Sequence, residues 1–158
     1  MWLLDTEHIT LRYFHSPPSR YAILSHVWER YEQTFQDVQG FKNPHKDACP
    51  KLQGCCRLAR LQGFEWVWID TCCIDKTNSV ELSEAINSMY KWYTNSSVCL
   101  AYLCDVEPDG ESLASPNSSF RLSVWFTRGW TLQELIAPKS VVFYSQKWMA
   151  LGDRKSVV

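Results

Sequence analysis

Four short apolar segments constrain the fold of this chain more than any other feature of its sequence. They cover residues 21–25, 66–69, 98–103 and 141–144. Short continuous apolar runs bounded by turn residues are typical of strands that are buried on both faces. The residues between them have helical patterns, and strands joined through helices pair in parallel, with helices on both sides of the sheet.

The segments around these strands predict helices and one N-terminal strand pair. Residues 51–62 place apolar side chains at i, i+3, i+4 and i+7, which is one face of a helix. Asn78 is a predicted N-cap, with Glu81 completing a capping box at the start of the next helix. Residues 122–136 are rich in aromatic side chains and are predicted to be helical, with an interruption at Gly129 and an end at Pro138. Residues 1–14 predict a strand or a short hairpin.

We therefore expect an α/β fold with a parallel sheet of about four to five strands, flanking helices and an N-terminal strand or hairpin. Residues 1–150 form one predicted domain. Residues 151–158 are interpreted as a short tail, with a truncated continuation as the alternative. Residues 107–119 contain proline, glycine, serine and asparagine and predict an exposed loop.

The composition is that of a globular protein without a preference for nucleic acid or membrane. Hydrophobic residues make up 46% of the 158 residues, charged residues 21%, and the formal net charge is −1. This charge provides no electrostatic footprint for nucleic acid, and no apolar run approaches the ~20 residues of a membrane span. The seven cysteines have no C-x-x-C spacing. We expect no metal site, and reduced thiols in a cytoplasmic protein.

Polar and aromatic residues gather where the predicted strands end. Ligands of an open parallel sheet bind outside the carboxyl ends of its strands. The residues at those ends are Ser25, His26 and Trp28, then Asp70, Asp75 and Lys76, then Asp105, and then Arg128 and Glu134. Trp28, Trp125 and Trp130 lie near the same end, where they either stack on a planar ligand or cover the sheet.

Several of these side chains also have a purely structural interpretation. Asp70 and Asp105 are placed like residues that cap turns, and His26 like a histidine satisfied within the core. Thr131-Leu132-Gln133-Glu134 matches a capping box, in which the Glu134 carboxylate only closes a helix end. The residues themselves leave both interpretations open.

Four long motifs strongly resemble the fungal heterokaryon incompatibility (HET) domain. They are YAILSHVW at 21–28, WIDTCCIDK at 68–76, ELSEAINSMY at 81–90 and RGWTLQELIAP at 128–138. Together they are spread over residues 21–138 and follow the family's order. One departure is Glu29, because the family usually has glycine after the first tryptophan. The resemblance implies an effector of fungal non-self recognition and programmed cell death.

A weaker resemblance, to Toll/interleukin-receptor (TIR) domains, implies a flavodoxin-like sheet and the cleavage of NAD. In that family a W-C-x-x-E-L segment carries a glutamate that is essential for cleaving NAD. Residues 130–135 are similar, with Thr131 in place of the cysteine. This resemblance assigns the catalytic role to Glu134 and makes residues 71–79 a loop that gates the pocket and mediates assembly. The residues that we expect to contact NAD are Ser25, His26, Trp28, Asp70, Asp75 and Trp130.

Three functions are compatible with these resemblances. The first is an NAD hydrolase, for which NAD is a substrate and no further cofactor is expected. The second is a non-catalytic signalling module that acts by homotypic or heterotypic association with HET or TIR-like domains. The third is an inert truncated copy.

Overall fold

The four apolar segments pair as neighbouring parallel strands within a seven-stranded sheet. The computed structural model describes residues 1–108, 113 and 115–157, so the predicted loop at 107–119 lies partly outside the described residues. The strands are β1 (Trp2–Asp5), β2 (Leu11–Tyr13), β3 (Ala22–His26), β4 (Trp66–Trp68), β5 (Val98–Tyr102), β6 (Val141–Tyr144) and β7 (Ala150–Asp153).

Helices connect most of these strands. In the described residues they are α1 (Phe35–Gln39), α2 (Pro44–Asp47), α3 (Pro50–Leu61), α4 (Ser79–Asn95), α5 (Ser119–Leu122), α6 (Thr131–Ile136) and α7 (Arg154–Val157), with a 3-10 turn at Val124–Thr127. The predicted N-cap of α4 is confirmed, because Asn78 Oδ1 accepts the backbone N–H groups of Val80 and Glu81. The capping box is not closed, since the Glu81 carboxylate accepts the N–H of Asp75 instead.

The strand order is β2-β1-β4-β3-β5-β6-β7, and β4, β3, β5 and β6 are parallel. The first parallel strand of the chain, β3, therefore lies between the second, β4, and the third, β5. This is the order of flavodoxin-like folds, and the predicted fold class is confirmed. Right-handed connections place α3 on one face of such a sheet and both α4 and α6 on the other. In agreement, α4 contacts α6.

Antiparallel strands extend the parallel core at both edges. Strands β1 and β2 form the predicted N-terminal hairpin, and β1 pairs with β4. At the other edge, β7 pairs with β6. The sequence did not predict β7, because residues 150–153 have neither an apolar run nor a clear alternation of apolar and polar side chains.

Residues 122–136 are interrupted near Gly129, as predicted, and also at Ser123. The segment contains the end of α5, the 3-10 turn and α6. The Asp105 carboxylate, just beyond β5, accepts the Ser123 hydroxyl at 2.6 Å and the Val124 N–H at 2.8 Å. Ser123 Oγ in turn accepts the N–H of Trp125. This tertiary contact holds the break at Ser123, which the sequence did not predict. Asp105 therefore caps a turn that is distant in sequence, and not the turn that follows it.

The core packs tryptophans of the sheet against helix α4. Trp66 and Trp68 of β4 are buried, as predicted for this strand. Trp68 meets Trp92 and Tyr93 edge-on, with ring centroids 5.5 and 6.0 Å apart. Tyr93 also donates its hydroxyl to the carbonyl oxygen of Leu24 at 3.1 Å, which ties α4 to β3.

The cysteines are free thiols, and five of the seven are buried. Burial raises the pKa of Cys55, Cys56 and Cys99. Thiols that stay neutral are poor nucleophiles, so we assign them a packing role. Among the described residues, no group of three His, Cys, Asp or Glu side chains is arranged to hold a metal ion. No described helix is both long enough and apolar enough to cross a membrane.

Gly54 of α3 lies directly against the indole of Trp148. A Cβ at position 54 would lie 2.1 Å from Trp148 Nε1, and this indole already stacks on Tyr102 with ring centroids 4.5 Å apart. We expect Gly54→Ala to lower the free energy of unfolding by about 1–3 kcal/mol. The overpacking outweighs the helix preference of alanine over glycine, about 1 kcal/mol. Urea denaturation measures the difference.

Arg57→Ala, on the exposed face of the same helix, is the matched control and should change stability by less than about 0.5 kcal/mol. In a Trp148→Ala background the clash is absent, so Gly54→Ala should cost nothing further there. A Gly54→Ala single variant as stable as the wild type would contradict this packing argument.

Candidate functional site

The site lies at the carboxyl end of β3 and β5, where the order of parallel strands reverses. In flavodoxin-like sheets the crevice opens at this point, because the connections of the two strands leave in opposite directions. Ser25 and His26 end β3, and Asp70 follows β4. Helix α6 brings Glu134 to the same place, although Glu134 is far from the other residues in sequence.

Glu134 is buried at the base of this crevice. Ser25 Oγ donates a short hydrogen bond to Glu134 Oε2, and Trp125 Nε1 donates to Ser25 Oγ at 2.8 Å. Because the Ser25 hydroxyl has only one proton, the indole bond and the carboxylate bond together fix its direction. Burial raises the pKa of Glu134, and the Ser25 hydrogen bond and the Arg128 charge offset this only in part.

The structure rejects the capping-box interpretation of Glu134. Helix α6 begins after Trp130, whose side chain makes no capping hydrogen bond. Thr131 Oγ1 donates to the carbonyl oxygen of Trp125 at 2.6 Å. The Glu134 carboxylate therefore serves the crevice and does not close the end of its helix.

A guanidinium group lies beside this buried carboxylate. Arg128 Nη1 donates to the carbonyl oxygen of His26 at 2.5 Å and lies 3.8 Å from Glu134 Oε2. The backbone of Arg128 is extended between the 3-10 turn and α6. This break in the helix allows the side chain to reach the end of β3.

Asp70 is the second carboxylate of the crevice and has the opposite pKa shift. Its Oδ1 lies 2.9 Å from His26 Nε2, and its Oδ2 accepts the Trp28 indole N–H at 2.8 Å. Burial opposes ionisation of Asp70, but contacts with His26, Trp28 and the Lys76 charge outweigh burial and lower its pKa. Two carboxylates with divergent pKa values are typical of functional sites.

Lys76 and Asp70 together hold the ring of Trp28. Lys76 Nζ donates to the carbonyl oxygens of Asp70 and Thr71, at 2.5 and 2.9 Å. The same ammonium lies 5.3 Å from the centroid of the Trp28 ring. The indole is 50% exposed, yet its N–H end is anchored, so an aromatic surface is presented to the crevice in one orientation.

These groups line a cleft of about 480 Å³. One wall is apolar and comes from Leu82, Ile86 and Met89 of α4, while Trp130, at 52% exposure, lies on its rim. The lining residues are Val27, Trp28, Asp70, Ile74, Lys76, Leu82, Ile86, Met89, Arg128, Trp130 and Glu134. A cleft of this size, mostly apolar with a few charged groups, suits a small ligand that contains a planar ring.

The structure brings most of the predicted site residues together, in two layers. Trp28, Asp70, Trp130 and Glu134 line the cleft. Ser25 and His26 are buried one layer behind it, where Ser25 contacts Glu134 and His26 contacts Asp70.

Two residues that the sequence associated with the site lie elsewhere. Asp75 does not line the cleft, because its carboxylate accepts the N–H and hydroxyl of Thr77 and the amide of Gln36. Trp125 is completely buried, so it cannot stack on a ligand and instead supports Ser25.

Sequence reasoning missed Lys51, whose ammonium lies 3.2 Å from His26 Nδ1. Lys51 is 25 residues from His26 and belongs to the first turn of α3. A single lysine in a helical segment matches no sequence motif. What distinguishes Lys51 is its burial beside Glu29 and Glu32, and this arrangement exists only in the folded chain.

We expect Glu134→Gln to raise the free energy of unfolding at pH 7. The folded pKa of Glu134 is raised above the ordinary value of 4.5. The wild type therefore loses stability as the pH rises from the unfolded pKa through the folded pKa, and glutamine avoids this loss. Urea denaturation across pH should show no advantage of the variant below the unfolded pKa and a plateau above the folded pKa.

Glu65→Gln is the control, because Glu65 is exposed and its substitution should change the free energy of unfolding by less than about 0.5 kcal/mol. A Glu134→Gln variant less stable than the wild type at pH 7 would show that Ser25 and Arg128 outweigh the cost of burying the charge.

Comparisons with known proteins identify the family of this chain. The family model described as "Heterokaryon incompatibility protein (HET)" matches residues 21–120, more than half of the chain. The chain is 45% identical over 146 residues to vegetative incompatibility protein HET-E-1 of Podospora anserina. This match covers 89% of the chain but only 11% of that much longer protein. No solved structure gave a significant match. The chain belongs to the heterokaryon incompatibility (HET) family.

Proposed function

We propose that this chain is the effector domain of a fungal vegetative incompatibility response, which leads to programmed cell death, and that it acts by cleaving NAD. The first part is supported by membership of the HET family and by the identity with an incompatibility protein. The chain spans only about a tenth of that relative. The part that this domain plays in the incompatibility response is therefore a proposal. The free thiols suit the reducing cytoplasm, where we place the activity.

One observation carries the enzymatic part of the proposal. Glu134 is buried at the base of a cleft whose lining includes Trp28 and Trp130, and it is held there by Ser25. Residues 130–135 are also similar to the TIR segment that carries the glutamate essential for NAD cleavage. Glu134 lies beyond the residues matched by the family model, so its proposed role rests on this geometry and on that similarity.

The proposed reaction breaks the bond between the nicotinamide nitrogen and C1′ of the ribose. The electron pair leaves with nicotinamide, which becomes neutral, so no general acid is required. Positive charge develops on the ribose, and the ionised Glu134 carboxylate stabilises it in a site shielded from water. A water oxygen then bonds to C1′ and releases a proton to Glu134 or to solvent, which yields ADP-ribose.

The charges and rings of the cleft match the other parts of this substrate. Arg128 uses one N–H donor on the His26 carbonyl, and its planar fork has further donors for phosphate oxygens. Lys76 adds a second cation within the same cleft. The anchored Trp28 ring offers a surface for stacking on nicotinamide or adenine.

We expect the wild-type chain, incubated with NAD in self-associated form, to release nicotinamide. Glu134→Gln should lower the rate by about 100-fold or more, because the charge that stabilises the transition state is lost. The rate of the wild type should also fall as the pH drops through the raised pKa of Glu134, since only the carboxylate form is active. Chromatography of nicotinamide and ADP-ribose measures both effects.

Glu65→Gln is again the matched control and should keep the wild-type rate. Urea denaturation of the same samples separates loss of chemistry from loss of folding, because Glu134→Gln is expected to be the more stable protein. If wild type and Glu134→Gln are equally inactive in every assembled state tested, the NAD proposal is wrong.

A second candidate function is a non-catalytic module that acts by association with another HET or TIR-like domain. The observation that favours it is the exposure of large apolar side chains on helices α4 and α6, which contact each other. Tyr90 is 55% exposed, Leu132 64% and Ile136 58%. Large apolar side chains exposed on neighbouring helices support an interaction surface there.

Cell death in a fungal host distinguishes these two functions. If NAD cleavage is the effector step, overexpressed Glu134→Gln should be harmless, while Leu132→Asp should weaken killing only through loss of assembly. If association alone is sufficient, Glu134→Gln should kill as well as the wild type and Leu132→Asp should not. Leu61→Asp, on an exposed apolar side chain of α3, controls for the added charge. Host survival on wild-type expression would contradict both functions.

A further inference from the structure

A buried ammonium group lies on the side of His26 that faces away from Asp70. Lys51 Nζ lies 2.7 Å from Glu29 Oε2 and 2.5 Å from Glu32 Oε1. Burial disfavours the charged form of Lys51, but the two carboxylates outweigh it and raise its pKa. Lys51 is therefore a cation at neutral pH and has only N–H donors to offer its neighbours.

The position of Lys51 determines which nitrogen of His26 carries the proton. Lys51 Nζ lies 3.2 Å from His26 Nδ1, and an ammonium can only donate. Two of its three protons face Glu29 and Glu32, and the third lies between His26 Nδ1 and the carbonyl oxygen of Val27, which is 3.3 Å away. Nδ1 is the nearer of these two acceptors and presents its lone pair, which leaves the ring proton on Nε2. That nitrogen lies 2.9 Å from Asp70 Oδ1 and donates to it. His26 is almost completely buried, so water does not provide an alternative partner at either nitrogen.

The Nε2–H tautomer fixes Asp70 and, through it, Trp28. With His26 donating to Oδ1, the other carboxylate oxygen is directed to the Trp28 indole N–H at 2.8 Å. The opposite tautomer would turn a nitrogen lone pair towards the Asp70 oxygen. The two would repel, and the carboxylate would rotate away from both of its partners.

We propose that Lys51 is a positioning residue that orients the Trp28 ring of the cleft from behind, through the tautomer of His26 and the carboxylate of Asp70. The series Lys51–His26–Asp70–Trp28 crosses the carboxyl edge of the sheet, and Lys51 itself does not line the cleft. The role of Trp28 as a platform for a substrate ring rests on the proposed function, but the series of contacts belongs to the ligand-free chain.

Glu32 determines which nitrogen of His26 is protonated when the Lys51 ammonium is removed. Its Oε1 lies 3.8 Å from His26 Nδ1 and close to Lys51. Without Lys51, the unpaired carboxylate favours a proton on Nδ1. Lys51→Met should therefore convert Nδ1 from an acceptor to a donor and weaken the orientation of Asp70 and Trp28.

Nitrogen NMR of the labelled, ligand-free chain tests the proposal. In the wild type we expect a proton on Nε2 of His26 and a lone pair on Nδ1, with the Trp28 indole N–H protected from solvent exchange. In Lys51→Met, Nδ1 should become protonated and the exchange of the Trp28 N–H should rise about tenfold or more. Lys51→Arg keeps the cation and should restore the wild-type pattern in large part.

Lys46→Met is the matched control, since it removes a lysine that is exposed and is not part of the series. A wild-type spectrum with the proton on Nδ1 overturns the proposal, whether or not the variants fold. Unchanged Trp28 exchange in a folded Lys51→Met protein overturns it as well. These measurements need no NAD. They therefore test the role of Lys51 separately from NAD cleavage, and either proposal can be wrong without the other.

Discussion

The parallel pairing of β3 on both of its edges is the constraint on which the rest of the structure depends. β3 pairs with β4 on one side and along its whole length with β5 on the other, and all five of its residues are buried. Its last two residues, Ser25 and His26, are polar, and buried polar groups need hydrogen-bond partners. Glu134 and Asp70, from other segments of the chain, are these partners. The crevice therefore forms where other segments meet the polar end of β3.

The two polar residues at the end of β3 contact two carboxylates whose pKa values are shifted in opposite directions. Ser25 reaches Glu134, for which burial dominates, and the pKa is raised. His26 reaches Asp70, for which hydrogen bonds and the charge of Lys76 outweigh burial, and the pKa is lowered. Neighbouring positions of a strand point to opposite faces of the sheet, which is why each residue meets a different partner. Glu134 lines the cleft, where a ligand can reach it, and Asp70 holds the Trp28 ring.

Much of the fold could be predicted from local patterns, because these patterns reflect burial. The apolar runs of β3 to β6 and the N-cap Asn78 have signals in a few neighbouring residues. The break at Ser123 had no such signal, since the Asp105 carboxylate that holds it comes from the end of β5. Strand β7 was missed because its pairing with β6, and not its own sequence, keeps it extended.

The sequence by itself determined the four parallel strands, the helices α3 and α4, the family resemblance and the group of residues at the strand ends, because each of these depends on residue type and spacing. Tertiary structure decided what those residues do. It placed Asp75 in a turn, buried Trp125 behind Ser25 and brought Lys51 to His26. Hydrogen bonds and charge contacts act over a few ångströms in space, and segments far apart in the chain come within that range only when the sheet closes.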